Sequence, residues 1–400
     1  VSARAVTPVD RLDTLVAART DAGARFFGTE AGRLAQLCHR MAERFARGGR
    51  LVAFGASAAD RSDVRHVAVE FVHPVIVGKR ALPAFGIECD EAALLVAPED
   101  LVIAFGAGEE VERAVAAARA RGCLTLAFAP VGAEWTLIAP TDDPFIAQEL
   151  IETSYHVLWE LVHVFFEHRG LLRGRDAREH HDAGASSFLY PFLAEEETDL
   201  GAVIDDVRAS IGAKAAETAA LRAQTVHDGR ASLVAAAAEL RARLDAGGTL
   251  LALGNGGSAT DAMDAVADLR TPPIRAGVGR RWPARRALDL TADPAILTAI
   301  ANDVGTEAIF ARQVIAYGGT GDAVLALSTS GNSTNVIAAL AEARRRGLAT
   351  MAFVGYDGGR VAAEGLADHV VVTRSEHIPR IQEAQATAWH VLREVIEEPT

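Results

Sequence analysis

The feature that most constrains this chain is an internal duplication. Residues 48–55 (GGRLVAFG) align with residues 247–254 (GGTLLALG), each an apolar run entered by Gly-Gly and left by Gly. Further on, residues 99–105 (EDLVIAF) match 321–327 (GDAVLAL), and each is followed by an Ala/Arg-rich helical stretch ending at Gly122 or Gly347. A third apolar run comes next, at 124–128 or 349–354. Short unbroken apolar strands alternating with helices predict a parallel, doubly wound α/β sheet. Two copies predict two tandem domains, placed at 8–166 and 199–398 with a linker at 167–198 rich in Arg, His, Gly and Ser. A length of 400 residues allows two or three domains, and the repeat selects two.

Other features bound the function class. The formal net charge of -13 argues against nucleic acid or an anionic membrane as partner, since both are bound by Lys and Arg neutralising phosphates. A local pocket for one small anion stays open. Cys38, Cys89 and Cys123 show no zinc spacing and suggest a reducing compartment. The first residues lack a secretory pattern, and the most apolar stretch, 150–166, is interrupted by Glu152, His156, Glu160 and His163, so a buried helix is expected and no membrane span. The reading is cytoplasmic. Residues 203–244 have helical spacing with a break expected at His227-Asp228-Gly229. Phe188, Leu189, Tyr190 and Phe192 are read as packing residues of the linker. His163, His168, His180 and His181 are read as surface residues or helix-end charges.

An anion cradle is predicted where a buried strand meets a helix through Ser328-Thr329-Ser330-Gly331-Asn332-Ser333-Thr334. A helix N-terminus offers unpaired N–H groups, Gly331 permits close approach, and hydroxyls add uncharged donors. One capping residue would suffice for the helix, yet five hydroxyls lie within these seven positions. A second loop, Gly254-Asn255-Gly256-Gly257-Ser258-Ala259, satisfies G-x-G-x-x-A, but no carboxylate stands near Ile274 where a ribose would need one. No nucleotide cofactor is therefore expected, and the loop is read as shaping a sugar-phosphate pocket.

Taken together, residues 254–258, the Asn302-Asp303 pair, the run Ser328 to Ser333 and the closing Arg380-Ile381-Gln382-Glu383 with His390 resemble the sedoheptulose-7-phosphate (phosphoheptose) isomerases of the sugar isomerase (SIS) domain family. The resemblance covers roughly residues 200–398. It implies a five-stranded parallel sheet flanked by helices, and substrate binding by Asn255, Gly256, Gly257, Ser258, Asn302, Asp303, Ser328, Thr329, Ser330, Asn332 and Ser333. The family's metal and acid–base set is a His and a Glu one helical turn apart, plus a Gln and a His eight residues apart. In the second half the matching positions are Asp264, Asp268, Gln382 and His390, while Pro272 and Pro379 replace an Arg and a carboxylate. In the first half His66, Glu70, Gln148 and His156 match throughout, but the turn 105–110 (FGAGEE) has lost every hydroxyl. This complementarity suggests a pseudo-dimer whose working pocket borrows from both halves.

The resemblance implies aldose–ketose isomerisation through an enediol, with Glu70 or Asp268 as base and His156 or His390 as acid. A divalent metal, zinc by family analogy, would assist. The implied substrate is sedoheptulose 7-phosphate. Two alternatives stand beside this reading. One is a hexosamine-type tandem isomerase, whose turn has Gly-Glu where this chain has Gly331-Asn332. The other is a non-catalytic protein that senses sugar phosphate or bridges partners. The like-charged Asp264 and Asp268 call for a metal or for Arg270 or Arg275 nearby. A homodimer of tandem chains is the expected assembly.

Overall fold

The computed structural model describes residues 8–75, 79–167, 172, 199–275 and 281–397. The linker aromatics and His168, His180 and His181 lie outside these residues. Two five-stranded parallel sheets form, with order β2-β1-β3-β4-β5 and β10-β9-β8-β6-β7. In the first sheet β1 is Leu51–Gly55, β2 Ala84–Gly86, β3 Leu101–Phe105, β4 Leu124–Ala127 and β5 Trp135–Thr136. In the second β6 is Leu250–Leu253, β7 Ala287–Asp289, β8 Ala323–Ser328, β9 Ala349–Gly355 and β10 His369–Thr373. The two topologies are the same, and the aligned runs form corresponding strands.

The Gly-Gly entry has a backbone cause in both copies. Gly48 and Gly247 sit at φ 89° and 88°, where a side chain would be strained. A Cβ on Gly49 would lie 2.1 Å from the Glu99 carbonyl oxygen, and one on Gly248 2.2 Å from that of Gly321. The next residue in each copy is an aspartate that ties β1 to β3 or β6 to β8. Asp100 Oδ1 accepts from Arg50 N at 2.9 Å and Asp322 Oδ1 from Thr249 N at 2.7 Å.

Alternation along the strands builds the core of the second sheet. Leu250, Ala252, Leu325, Leu327 and Phe353 face Trp389 and Leu392 of helix Ile378–Glu397. Leu251, Leu253, Val324, Ala326 and Val354 face Val336 and Leu340 of helix Thr334–Arg345. Each leucine, valine or phenylalanine among them contributes about 1.5–3 kcal/mol on burial.

The chain divides into two compact units. The β6–β10 unit comprises the described residues of Val1–Asp21, Asp142–Glu149 and Glu217–Thr400; the β1–β5 unit comprises Ala22–Thr141 and the described residues of Leu150–Ala216. The residues of helices Pro8–Ala46, Pro144–Glu167 and Leu200–Asp245 are thus shared out between the units. The last of these is continuous over 46 residues, which corrects the break expected at Gly229. A Cβ there would come within 3.0 Å of Val371 Cγ1 on β10, so this glycine serves close helix-to-strand packing. Among the described residues no helix is long and apolar enough to cross a membrane.

Candidate functional site

Three arrangements gather the residues singled out in the sequence. The first is the loop between β8 and helix Thr334–Arg345. Gly331 takes φ 62°, and a Cβ on it would meet the Gly358 carbonyl oxygen at 2.2 Å. Ser328 Oγ accepts from Gly331 N at 3.2 Å, and Ser330 Oγ from Asn332 N at 3.1 Å. Ser333 occupies the N-cap, yet its side chain makes no cap hydrogen bond among the described residues. Capping therefore does not account for the hydroxyls. Asn255 and Asn335 exchange reciprocal amide hydrogen bonds, both 2.9 Å. These bonds tie the Gly-rich loop to the hydroxyl loop, with Gly256 (φ 57°) leading into helix Gly257–Arg270. Ser258 is buried, and Asn255 and Asn332 are exposed.

Asn302 and Asp303 are exposed at the end of helix Pro294–Asp303, where Asn302 Nδ2 donates to Asp303 Oδ1 at 2.7 Å. The turn Thr306–Ala308 just beyond packs on helix Thr334–Arg345. In the β1–β5 unit the corresponding helix Glu109–Ala120 starts with Glu109, Glu110 and Glu112 in its first turn. These carboxylates would repel a phosphate from the dipole that attracts it.

The second arrangement centres on His390, in helix Ile378–Glu397. Its Nδ1 lies 2.9 Å from Glu149 Oε1 and its Nε2 3.7 Å from Asp268 Oδ2. Trp389 Nε1 donates to that same Asp268 oxygen at 2.8 Å. Phe145 stacks on the imidazole at 4.5 Å. Arg19 Nε donates to Glu149 Oε1 at 2.8 Å, its Nη2 to Glu394 Oε1 at 3.0 Å and its Nη1 to the Leu15 carbonyl. Thr387 Oγ1 donates to Glu149 Oε2 at 2.6 Å. All these charged groups are at least 95 % buried. Burial opposes the charge on Glu149, but Arg19, His390 and Arg222 outweigh it and hold the carboxyl well below its ordinary range. Burial likewise opposes charge on His390, and the bond to Glu149 with the fields of Glu149 and Asp268 raises it above the ordinary imidazole value. Burial pushes the Asp268 carboxyl up, against His390 and Trp389.

The third lies in the β1–β5 unit, where helices Ala58–Val72 and Pro144–Glu167 bring His66, Glu70 and His156 together. One ligand atom from each falls within 4.8 Å of the others, and all three are buried. His66 Nε2 lies 3.3 Å from His156 Nε2 and 3.8 Å from Glu70 Oε1. His66 Nδ1 meets the Tyr155 hydroxyl at 2.9 Å. Donation from Nδ1–H to that hydroxyl leaves the Nε2 lone pair facing Glu70 and His156. Burial and the neighbouring His156 push the His66 pKa down, favouring the neutral, ligating form. Two imidazoles and a carboxylate are a donor set that suits a divalent ion such as zinc with an open position.

The candidate residues thus fall out unevenly. His66, Glu70 and His156 converge, and so do Asp268 and His390. Gln148 is half-buried, eight residues from His156 and about 12 Å along the helix axis, as Gln382 is from His390. Asp264 is half-buried and, among the described residues, joins no three-donor cluster with Asp268 and His390. Of the arginines expected to compensate the aspartates, Arg270 donates to the Ala287 carbonyl and Arg275 pairs with Asp143 and Glu394; Trp389 and His390 serve Asp268 instead. His163 is corrected from surface to core: it is 3 % exposed, with Nδ1 2.8 Å from the Trp159 carbonyl and Nε2 3.0 Å from that of Arg80, of which the neutral ring donates to one, and burial pushes its pKa down to about 4. Sequence reasoning missed Glu149, Arg19 and Tyr155. Their signal was the presence of Glu149 and Tyr155 beside Gln148 and His156; Arg19 offered none.

Comparison with known proteins agrees with this architecture. The SIS domain profile matches residues 215–355. A phosphoheptose isomerase of Chlorobium phaeobacteroides is 46% identical over 176 residues, which is 44% of this chain and 76% of that protein. Among solved structures, tagatose-6-phosphate ketose/aldose isomerase from Escherichia coli aligns over 96% of this chain and 91% of its own, with TM-score 0.55 and 13% identity. The C-terminal domain of glucosamine-fructose-6-phosphate aminotransferase from Francisella tularensis aligns over 97% and 94%, with TM-score 0.58 and 9% identity. At these identities the structural likeness speaks to the fold: α/β, with two SIS-like domains.

Proposed function

The chain belongs to the SIS-domain family, and from that premise we propose that it interconverts sedoheptulose 7-phosphate and D-glycero-manno-heptose 7-phosphate. At the coarser level it is a sugar-phosphate isomerase. The observation that carries this reading is the hydroxyl loop, in which Ser333 sits at a helix N-terminus without spending its side chain on the cap. Ser328, Thr329, Ser330 and Ser333, with the Asn255 loop tied to them, hold the remote phosphate. That binding energy orients the reacting end of the sugar.

Isomerisation moves a proton between C1 and C2 through an enediol, so it needs a base, an acid and stabilisation of the developing oxyanion. Glu70 and Asp268 are the candidate bases; burial of Asp268 raises its pKa, which strengthens it in that role. His156 and His390 are the candidate acids. Asp268 stands eleven residues into its helix from Gly257, about 16 Å along the axis. His66, Glu70 and His156 would hold a divalent ion. When bound, zinc would supply Lewis-acid polarisation of an oxygen ligand at that cluster. Tyr155 orients His66 for that task.

The test is turnover by the purified chain, with conversion of sedoheptulose 7-phosphate followed by NMR. Product formation is expected. Tight binding of heptose and hexose phosphates without product would replace this reading with a sugar-phosphate sensor. A homodimer of tandem chains in the cytoplasm completes the proposal, and a solution mass measurement reads the assembly.

A further inference from the structure

The β6–β10 unit holds a buried cation beside His390, whereas the β1–β5 unit gathers two imidazoles and a carboxylate beside His156. His390 has one ring nitrogen on Glu149 and the other towards Asp268, whose facing oxygen already accepts the Trp389 N–H. Neither Asp264 nor a third carboxylate turns this pair into a three-donor cluster among the described residues. The positive charge comes instead from Arg19. Its three nitrogens donate to Glu149, Glu394 and the Leu15 carbonyl, and the guanidinium is 2 % exposed. Arg222 Nη2 adds a bond to the Glu149 carbonyl at 3.2 Å. A planar fork that pairs two carboxylates satisfies them as a divalent ion would, without requiring the imidazole to give up its lone pair.

We infer that Arg19 is the resident cation of this unit, that Glu149 and Arg19 act as positioning residues which hold His390 between two carboxylates, and that the chain takes up a divalent ion at His66, Glu70 and His156 alone. The last clause rests on the metal reading given above; the Arg19 assignment does not. Asp264, Asp268, Gln382 and His390 thereby form a metal-free counterpart of the first-unit set.

Counting zinc on the full chain after saturation and desalting tests the stoichiometry. About one ion per chain is expected for wild type and for His390→Gln, and none for His66→Ala. Two ions in wild type, or loss of the ion in His390→Gln, would overturn the inference. No zinc on wild type would sink the metal reading of the first cluster and leave the Arg19 assignment to a second measurement. In a His66→Ala background, Arg19→Gln is expected to lower the melting temperature, with excess zinc recovering part of the loss, whereas His66→Ala alone gains nothing from zinc. Absence of recovery, or an equal zinc effect in both proteins, refutes the assignment. Should Arg19→Gln fail to fold, Arg19→Lys keeps the charge and loses the fork: it is expected to melt lower than its parent and stay insensitive to zinc, and a zinc response there counts against the assignment.

Discussion

The two repeats use the same structural position, where the helix after the first strand meets the helix that closes the sheet, for different electrostatics. In the β1–β5 unit it holds two imidazoles and a carboxylate, with His66 kept neutral by burial and by His156. In the β6–β10 unit it holds one imidazole between carboxylates, with Arg19 supplying the balancing charge. The loops that enter the next helix differ in the opposite sense, hydroxyls in the second unit and carboxylates in the first. Duplication thus preserved strand order, the glycine entries and the paired aspartates Asp100 and Asp322, while donors on the helix faces diverged. The backbone demands of a parallel sheet are strict, whereas a buried charge needs only some partner of opposite sign.

The largest expected effect tests which repeat holds the base. Glu70→Gln should lower kcat for heptose phosphate isomerisation about 10²–10⁴-fold, the usual scale for losing a general acid or base. A larger loss for Asp268→Asn in steady-state assays would move the chemistry to the other unit. Next, Glu149→Ala leaves Arg19 buried without its main partner, and urea unfolding should show a loss of about 3–5 kcal/mol. A loss below about 1 kcal/mol would mean that the network contributes little. Tyr155→Phe should weaken zinc binding about 10-fold in a chelator competition, as loss of a bond orienting a ligand does, while Trp389→Phe leaves zinc binding unchanged.

The two histidines also give opposite pH dependence in chelated protein. His390 has a raised pKa, so its stabilisation is present below the ordinary imidazole value near 6.5 and fades as pH rises through the folded value. His66 has a lowered pKa, so the unfolded chain binds its proton first and stability is lost as pH falls below about 6.5. Melting curves from pH 5 to 8 should flatten at the acid end in His66→Asn and at the neutral end in His390→Asn; the same slopes in both variants would erase the distinction. The smallest effect concerns the cradle: Ser333→Ala should raise KM about 10-fold, about the worth of one hydrogen bond to a charged group, with kcat little changed.

The two parallel sheets were legible because glycines, apolar runs and turn chemistry repeat at matching places in the chain; their strand order came only from the structure. The hydroxyl loop was legible for a similar reason, as its hydroxyls are consecutive residues between a strand and a helix. The continuity of helix Leu200–Asp245 was not, since Gly229 reads as a breaker until Val371 is seen against it. His163 was misread because its two carbonyl partners, at Trp159 and Arg80, come one from its own helix and one from far along the chain.

By itself the sequence determined the class of fold and the duplication, both of which follow from local pattern; His66, Glu70 and His156 were picked out by the family resemblance, and the structure brings them together from two helices. Only the tertiary structure decided that Arg19, Glu149 and His390 share one buried network. These residues are separated by 130 and 241 positions, and no periodicity reports which carboxylate a buried guanidinium will meet. That choice is made by packing, where each charge removed from water must find a partner of the right sign and shape.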